Sequence, residues 1–128
     1  MPRTSFLDLL KIDYERYPVI AVVGGGGKTS LIYKLTDELL QKDQKVIITT
    51  TTHMAFEPDC PFAQDGDPRK IREALEKSGY VIAAGLEEES GKYCTLSTER
   101  LEEIKDMCDV LLIEADGAKH MPVKVPAA

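Results

Sequence analysis

The chain has no tryptophan, and aromatic residues make up only 6% of it. Its core must therefore be aliphatic, and a hydrophobic share of 43% is enough for that. Cysteines are few: Cys60, Cys94 and Cys108 are odd in number, widely spaced and without a C-x-x-C pair. That fits reduced thiols in the cytosol better than a disulfide framework. None has a neighbouring cation that would mark a reactive thiolate, and Cys108 reads as core. Long apolar runs are missing too. Nothing approaches the ~18 residues of a spanning helix, and the apolar cluster Phe6, Leu7, Leu9, Leu10 is interrupted by Asp8, unlike a signal peptide. Basic charge is in deficit, with 16 Lys and Arg against 22 Asp and Glu, for a net charge of −6. This argues against a nucleic-acid surface. The expectation is a cytoplasmic protein with no nucleic-acid or membrane partner. At 128 residues, positions 1–128 form a single domain with one sizeable core.

What is present is concentrated in residues 19–35. Val19 to Val23 suit a strand buried on both faces. Gly24, Gly25, Gly26 and Gly27 follow, then Lys28, Thr29 and Ser30, then Leu31, Leu35 and Leu39 at helical spacing. Strand, glycine turn, Lys-Thr and helix form the layout of a phosphate-binding loop. Main-chain N–H groups at a helix N-terminus can surround phosphate oxygens, and glycine allows their close approach. Lys28 would meet the β/γ-phosphates, and the Thr29 hydroxyl would enter the shell of Mg²⁺. The spacing is shortened: the usual pattern needs glycine at position 22, which is Val22. What remains, Gly24-x-x-Gly27-Lys28-Thr29, is similar to the loop of Mur-ligase and folylpolyglutamate-synthase NTPases. A flexible linker would also be glycine-rich, but it would not join a β-branched run to an amphipathic helix.

The rest of the chain alternates between the two periodicities. Thr4 or Ser5 caps a short helix through about Lys11, and Pro18 opens the first strand. A helix is expected over 28–41 and a second strand over 45–50, with a loop at 51–66. Asp67 caps a helix through Ser78, and Gly79 ends it. A third strand spans 80–84, followed by an acidic turn at 85–92. Ser97 or Thr98 caps a helix carrying Leu101, Ile104 and Cys108 on one face. A fourth strand spans 109–114, and the tail 115–128 shows no recognisable element. Strands alternating with helices predict an α/β fold of three layers, α/β/α, with a mainly parallel sheet of about four strands. An end so soon after the fourth strand reads as truncated for a P-loop domain.

In such a sheet, ligands gather beyond the carboxyl ends of the strands. Beside the glycine loop, two segments fall there. After strand two comes Thr49-Thr50-Thr51-Thr52-His53, which places hydroxyls where phosphates or substrate would lie. Such hydroxyls could equally face a neighbouring helix. His53 suits a binding loop better than a metal site, having no second ligand nearby. After strand four comes Glu114-Ala115-Asp116-Gly117-Ala118-Lys119. A carboxylate ending an apolar strand is the second half of an NTPase site, holding Mg²⁺ or its waters opposite the loop threonine. Asp116 is favoured for the magnesium side and Glu114 for orienting water or substrate, although the roles are interchangeable on sequence alone. Lys119 and Lys124 are candidates for contacting an anionic substrate, or are solvated tail residues.

Taken together, Val-Val-Gly-Gly-Gly-Gly-Lys-Thr-Ser (22–30), Thr-Thr-Thr-Thr-His (49–53), Glu-Ala-Asp-Gly-Ala-Lys (114–119) and Pro-Val-Lys-Val-Pro (122–126) resemble the YqeC family. That family is described as accessory or selenium-cofactor biosynthesis proteins of selenium-dependent molybdenum hydroxylases. The resemblance implies a P-loop NTPase-like fold and a cytoplasmic role in maturing such a hydroxylase, with the hydroxylase or its cofactor as partner. It carries over to Gly24, Gly26, Gly27, Lys28, Thr29, Thr50 to His53, Glu114, Asp116, Gly117, Lys119, Lys124 and Pro126. Relatives usually continue past the Lys-x-Pro segment, so C-terminal elements of the family are expected to be lacking here. The resulting expectation is a protein that binds ATP or GTP with Mg²⁺ and hydrolyses it or transfers its phosphoryl group. In that reading Lys28, Glu114 and Asp116 are catalytic, and Thr29 and Asp116 hold the metal. Gly24 to Ser30, Thr51, Thr52, His53 and Lys119 line the ligand. The alternatives are a nucleotide-gated chaperone or adaptor with little turnover, and a fragment of a Mur-like ATP-dependent ligase.

Overall fold

The computed structural model describes residues 5–23, 28–115 and 123–126, the last of these by their backbone. Gly24 to Gly27, Asp116, Gly117 and Lys119 lie outside the described residues, as does the side chain of Lys124.

Three apolar, β-branched-rich runs build the centre of a mixed α/β fold. They are β1 (Val19–Val23), β2 (Val46–Thr50) and β7 (Val110–Glu114). Such runs form strands because both of their faces find apolar cover. β7 lies between the other two and is parallel to both, with Val22 and Thr50 both in register with Glu114. On the far side of β2 runs β5 (Tyr80–Leu86), also parallel, and β4 (Phe62–Gln64) pairs parallel with β5. β8 (Val123–Pro126) pairs parallel with β1 at the edge. Two short strands, β3 (His53–Met54) and β6 (Tyr93–Cys94), pair antiparallel with each other, and β6 continues antiparallel onto β5.

Several expectations are corrected here. The sheet is mixed and has eight strands among the described residues, against an expected mainly parallel sheet of about four. The stretch 51–66 holds β3 and β4, and the tail holds β8. The third strand runs on to Leu86, and β6 follows the acidic turn. The missed strands are two to four residues long, too short to show alternation, and β8 contains Pro126, which fits an edge.

Alternation divides the core in two. Ile20, Val22, Val46, Ile48, Ile82, Ala84, Val110 and Leu112 belong to one apolar cluster, with Leu31, Ile32, Leu35 and Leu39 of α2 (Lys28–Gln41). Ile47, Val81, Ala83, Leu111, Ile113 and Ala115 belong to the other, with Ile71 and Leu75 of α3 (Pro68–Ser78) and Ile104 of α4 (Thr98–Ile104).

Both ends of α3 and the start of α4 are where the sequence signals placed them, whereas the first helix stops at Leu9, short of Lys11, and Cys108 lies beyond the helix expected to carry it. Asp67 accepts from Arg69 N–H at 3.0 Å, Pro68 opens α3, and Gly79 closes it at φ 82°. Ser97 caps α4, whose last turn tightens into a 3₁₀ turn at Lys105–Met107. The first helix, α1 (Phe6–Leu9), is capped twice. Ser5 accepts from Asp8 N–H, and the Glu38 carboxylate on α2 accepts from Phe6 and Leu7 N–H at 2.8 and 2.9 Å. Those two donors have no intrahelical partner, so a charged acceptor on a neighbouring helix both satisfies them and docks α1.

Candidate functional site

The parallel direction of β1, β2 and β7 brings their carboxyl ends to one rim. In α2, Leu31, Ile32, Leu35 and Leu39 are buried toward the sheet, so Lys28 and Thr29, one turn earlier, stand over that rim. Glu114, the last residue of β7, points to the same face because Leu112, two residues before it, belongs to the α2 cluster.

These residues meet across 85 positions of sequence. Thr29 Oγ1 is 3.3 Å from Glu114 Oε2, and Lys28 Nζ is 3.8 Å from Glu114 Oε1. The pair is largely shielded, with 14% of the Lys28 side chain and 7% of the Glu114 side chain exposed. A carboxylate at that depth costs several kcal/mol in lost hydration, of order that given for buried ions. The nearby ammonium and hydroxyl offset part of that cost.

β2 adds a second set of hydroxyls. Thr50 is fully buried, and its hydroxyl donates to the Glu114 carbonyl at 3.1 Å. The Thr51 side is exposed, and its N–H also donates to the Glu114 carbonyl, at 3.0 Å. Thr52 is half-buried, with its N–H donating to Thr50 Oγ1 at 3.0 Å. Of the expected ligand-lining residues, Lys28, Thr29, Glu114 and the Thr51–Thr52 turn are therefore brought together, whereas Ser30 is exposed on α2.

His53 is engaged elsewhere. It lies on β3, and its Nε2 is 2.7 Å from Glu87 Oε2 at an exposed position. Hydrogen bonds from Ser90 and from His53 hold the Glu87 carboxyl below its ordinary pKa. Nothing in the sequence flagged Glu87, because the contact depends on β3 pairing with β6 after the turn that carries it. Thr50 lies within the threonine run and the family pattern, but not in the expected ligand-lining set. A threonine ending a strand just before a turn is a recognisable local signal, since its hydroxyl can bond the N–H two residues on.

The donor set has a chemical preference. A carboxylate and a hydroxyl 3.3 Å apart are hard oxygen ligands of the kind Mg²⁺ takes. Among the described residues there is no group of three His, Cys, Asp or Glu side chains able to hold a metal ion. Mg²⁺ does not need such a cage when phosphate oxygens share its shell. The cysteines are free, and burial pushes the Cys108 thiol up to about 12, so it stays protonated. Among the described residues no helix is long and apolar enough to cross a membrane.

Comparison with known proteins adds a family. Residues 20–128 match the family described as "YqeC protein". A relative from Escherichia coli (strain K12), described as "Uncharacterized protein YqeC", is 38% identical over 117 residues. The alignment covers 88% of this chain and 45% of the relative, so the chain spans less than half the length of that protein. No solved structure matches the chain.

Proposed function

The chain belongs to the YqeC family, and on that premise we propose that it binds a nucleoside triphosphate, ATP or GTP, with Mg²⁺ at the carboxyl rim of β1, β2 and β7. The reading is of a three-layer, P-loop NTPase-like domain. One observation carries it: Glu114 ends a buried strand with its carboxylate against both Lys28 and Thr29, the residues that follow the glycine run.

Each residue has a role set by its chemistry. Lys28 shifts its ammonium from the carboxylate toward the β/γ-phosphates when they arrive. Thr29 offers its hydroxyl to the metal, and Glu114, already 3.3 Å from that hydroxyl, stands on the same side. Magnesium, when bound, would neutralise charge on the phosphate oxygens. This geometry supports giving Glu114 the magnesium-side role that the sequence alone favoured for Asp116, with Asp116 left to orient water or substrate. The glycines 24–27 would supply main-chain donors, and Thr51, Thr52 and Lys119 would line the same nucleotide. Hydrolysis or phosphoryl transfer would then drive a step in maturing a selenium-dependent molybdenum hydroxylase in the cytoplasm, as the family resemblance implies.

The test is calorimetric titration with ATP, GTP and CTP, with and without Mg²⁺, on the wild type and Lys28→Ala. Removing a charged donor to phosphate is expected to weaken binding by about 1.5–3 kcal/mol. Far-UV circular dichroism should stay unchanged. Equal affinity in the two proteins would remove the assignment.

A further inference from the structure

One hydroxyl stands where the two halves of this rim join. Thr50 occupies the last position of β2, fully buried and in register with Glu114. Its Oγ1 donates to the Glu114 carbonyl at 3.1 Å and accepts the Thr52 N–H at 3.0 Å. A hydroxyl carries a single hydrogen. With that hydrogen given to Glu114, the 3.4 Å contact between Thr50 Oγ1 and Thr52 Oγ1 has Thr52 as its donor. The orientation of the Thr52 hydroxyl therefore follows from Thr50.

The main chain around Glu114 is held from both sides. Its carbonyl also accepts the Thr51 N–H at 3.0 Å, and the next amide, of Ala115, donates to the Val22 carbonyl at 3.0 Å. On β1 this is an ordinary strand ladder. On β2 a side chain adds to the ladder, at the point where the chain turns out of the sheet. Valine would suit the strand equally well by shape and propensity, but it could make neither bond.

From this we infer that Thr50 is a positioning residue. It ties the Thr51–Thr52 turn to the main chain of Glu114, so that the turn and the carboxylate meet one ligand in a fixed relation. The inference deepens the nucleotide reading and rests on it for the identity of that ligand, a magnesium-bound triphosphate. Thr50 itself need touch neither phosphate nor metal.

The test compares Thr50→Val, Thr50→Ala and Thr50→Ser with the wild type in two measurements. In the ligand-free protein, Thr52 amide hydrogen exchange should accelerate about tenfold in the Val and Ala variants, the loss expected for one hydrogen bond. It should stay near wild type in Thr50→Ser. In titrations with ATP or GTP, affinity without Mg²⁺ should be retained in all variants. The gain on adding Mg²⁺ should fall about tenfold in Val and Ala and be restored in Ser. Using two hydroxyl-free residues of different volume separates loss of the bond from poor packing, and keeps the test usable if one of them fails to fold. Wild-type protection of Thr52 in a folded hydroxyl-free variant would overturn the inference. So would equal losses with and without Mg²⁺. If the wild type binds no nucleotide, the functional reading falls, and the exchange measurement still decides whether Thr50 holds the turn.

Discussion

At the carboxyl end of the sheet, consecutive residues separate into two unlike faces. Thr50 and Glu114 face α2, while Thr49, Ile113 and Ala115 face α3 and α4. All five are buried, from 0% exposed for Thr49, Thr50 and Ala115 to 4% for Ile113 and 5% for Glu114. Depth therefore does not distinguish the faces; partners do. On the α2 side, Glu114 meets Lys28 and Thr29, and the Thr50 hydroxyl bonds both Glu114 and Thr52. On the other side the surrounding cluster is Ile47, Ala63, Ala83, Leu96 and their apolar neighbours. A fold selected only for stability gains little from a buried carboxylate, since apolar replacements of buried ion pairs are often neutral or stabilising. A shielded charge kept on one face and absent from the other is what a binding rim requires.

The comparison breaks most visibly if the faces are made alike. Ile113→Asp places a carboxylate one residue from Glu114, but within an aliphatic cluster, where the group in register with it is the Thr49 hydroxyl rather than an ammonium. The expected loss is about 4 kcal/mol or more, in the range kept for buried unpaired charges. Urea unfolding measures it. A loss under about 1 kcal/mol would mean that the second face tolerates charge and that the contrast has no energetic content. A smaller effect is expected from Glu114→Gln, which preserves shape and removes charge. Lys28 loses a counter-charge, and the Mg²⁺-dependent part of nucleotide affinity should fall by about 1.5–3 kcal/mol while Mg²⁺-free binding holds. If the Mg²⁺ effect survives, the metal-side role passes from Glu114 to Asp116.

Much of this was legible in the sequence wherever the signal is local. The run 19–23, the helix 28–41 and the capped helix between Asp67 and Gly79 are found as expected, because each carries its own start, stop and periodicity. The carboxylate-ended strand was legible too, as β7 ending at Glu114. What the sequence hides is pairing between distant segments. The partners of Glu38 are the N–H groups of Phe6 and Leu7, more than 30 residues away, and neither residue type announces a need for a carboxylate. β4 follows directly on Pro61 in a stretch whose prolines signal a loop, and it exists because β5 offers an edge. His53 closes the threonine run, yet β3 turns its ring to Glu87. Four consecutive threonines look equivalent in a row of letters. Only the sheet, by sending alternate side chains to opposite faces, makes them different residues.

The finest test lies between two of those threonines. Thr49 Oγ1 is buried without a hydrogen-bond partner among the described residues, whereas Thr50 Oγ1 is bonded to Glu114 and Thr52. Both side chains are replaceable by valine at nearly constant shape, so the substitution isolates the hydroxyl. Removing an unpaired buried hydroxyl relieves a desolvation cost and loses no bond, so Thr49→Val is expected to be neutral or stabilising by up to about 1 kcal/mol. Thr50→Val leaves the Thr52 amide without its acceptor and takes one of two donors from the Glu114 carbonyl, which keeps the Thr51 N–H, and should destabilise by about 1 kcal/mol or more. The magnitudes are small, but the signs are opposite for neighbouring residues of the same kind, and differential scanning calorimetry resolves such a difference in a chain of this size. Equal destabilisation by both would show that the Thr49 hydroxyl is satisfied in solution. The polar network would then extend through the sheet rather than stop at the face that meets α2.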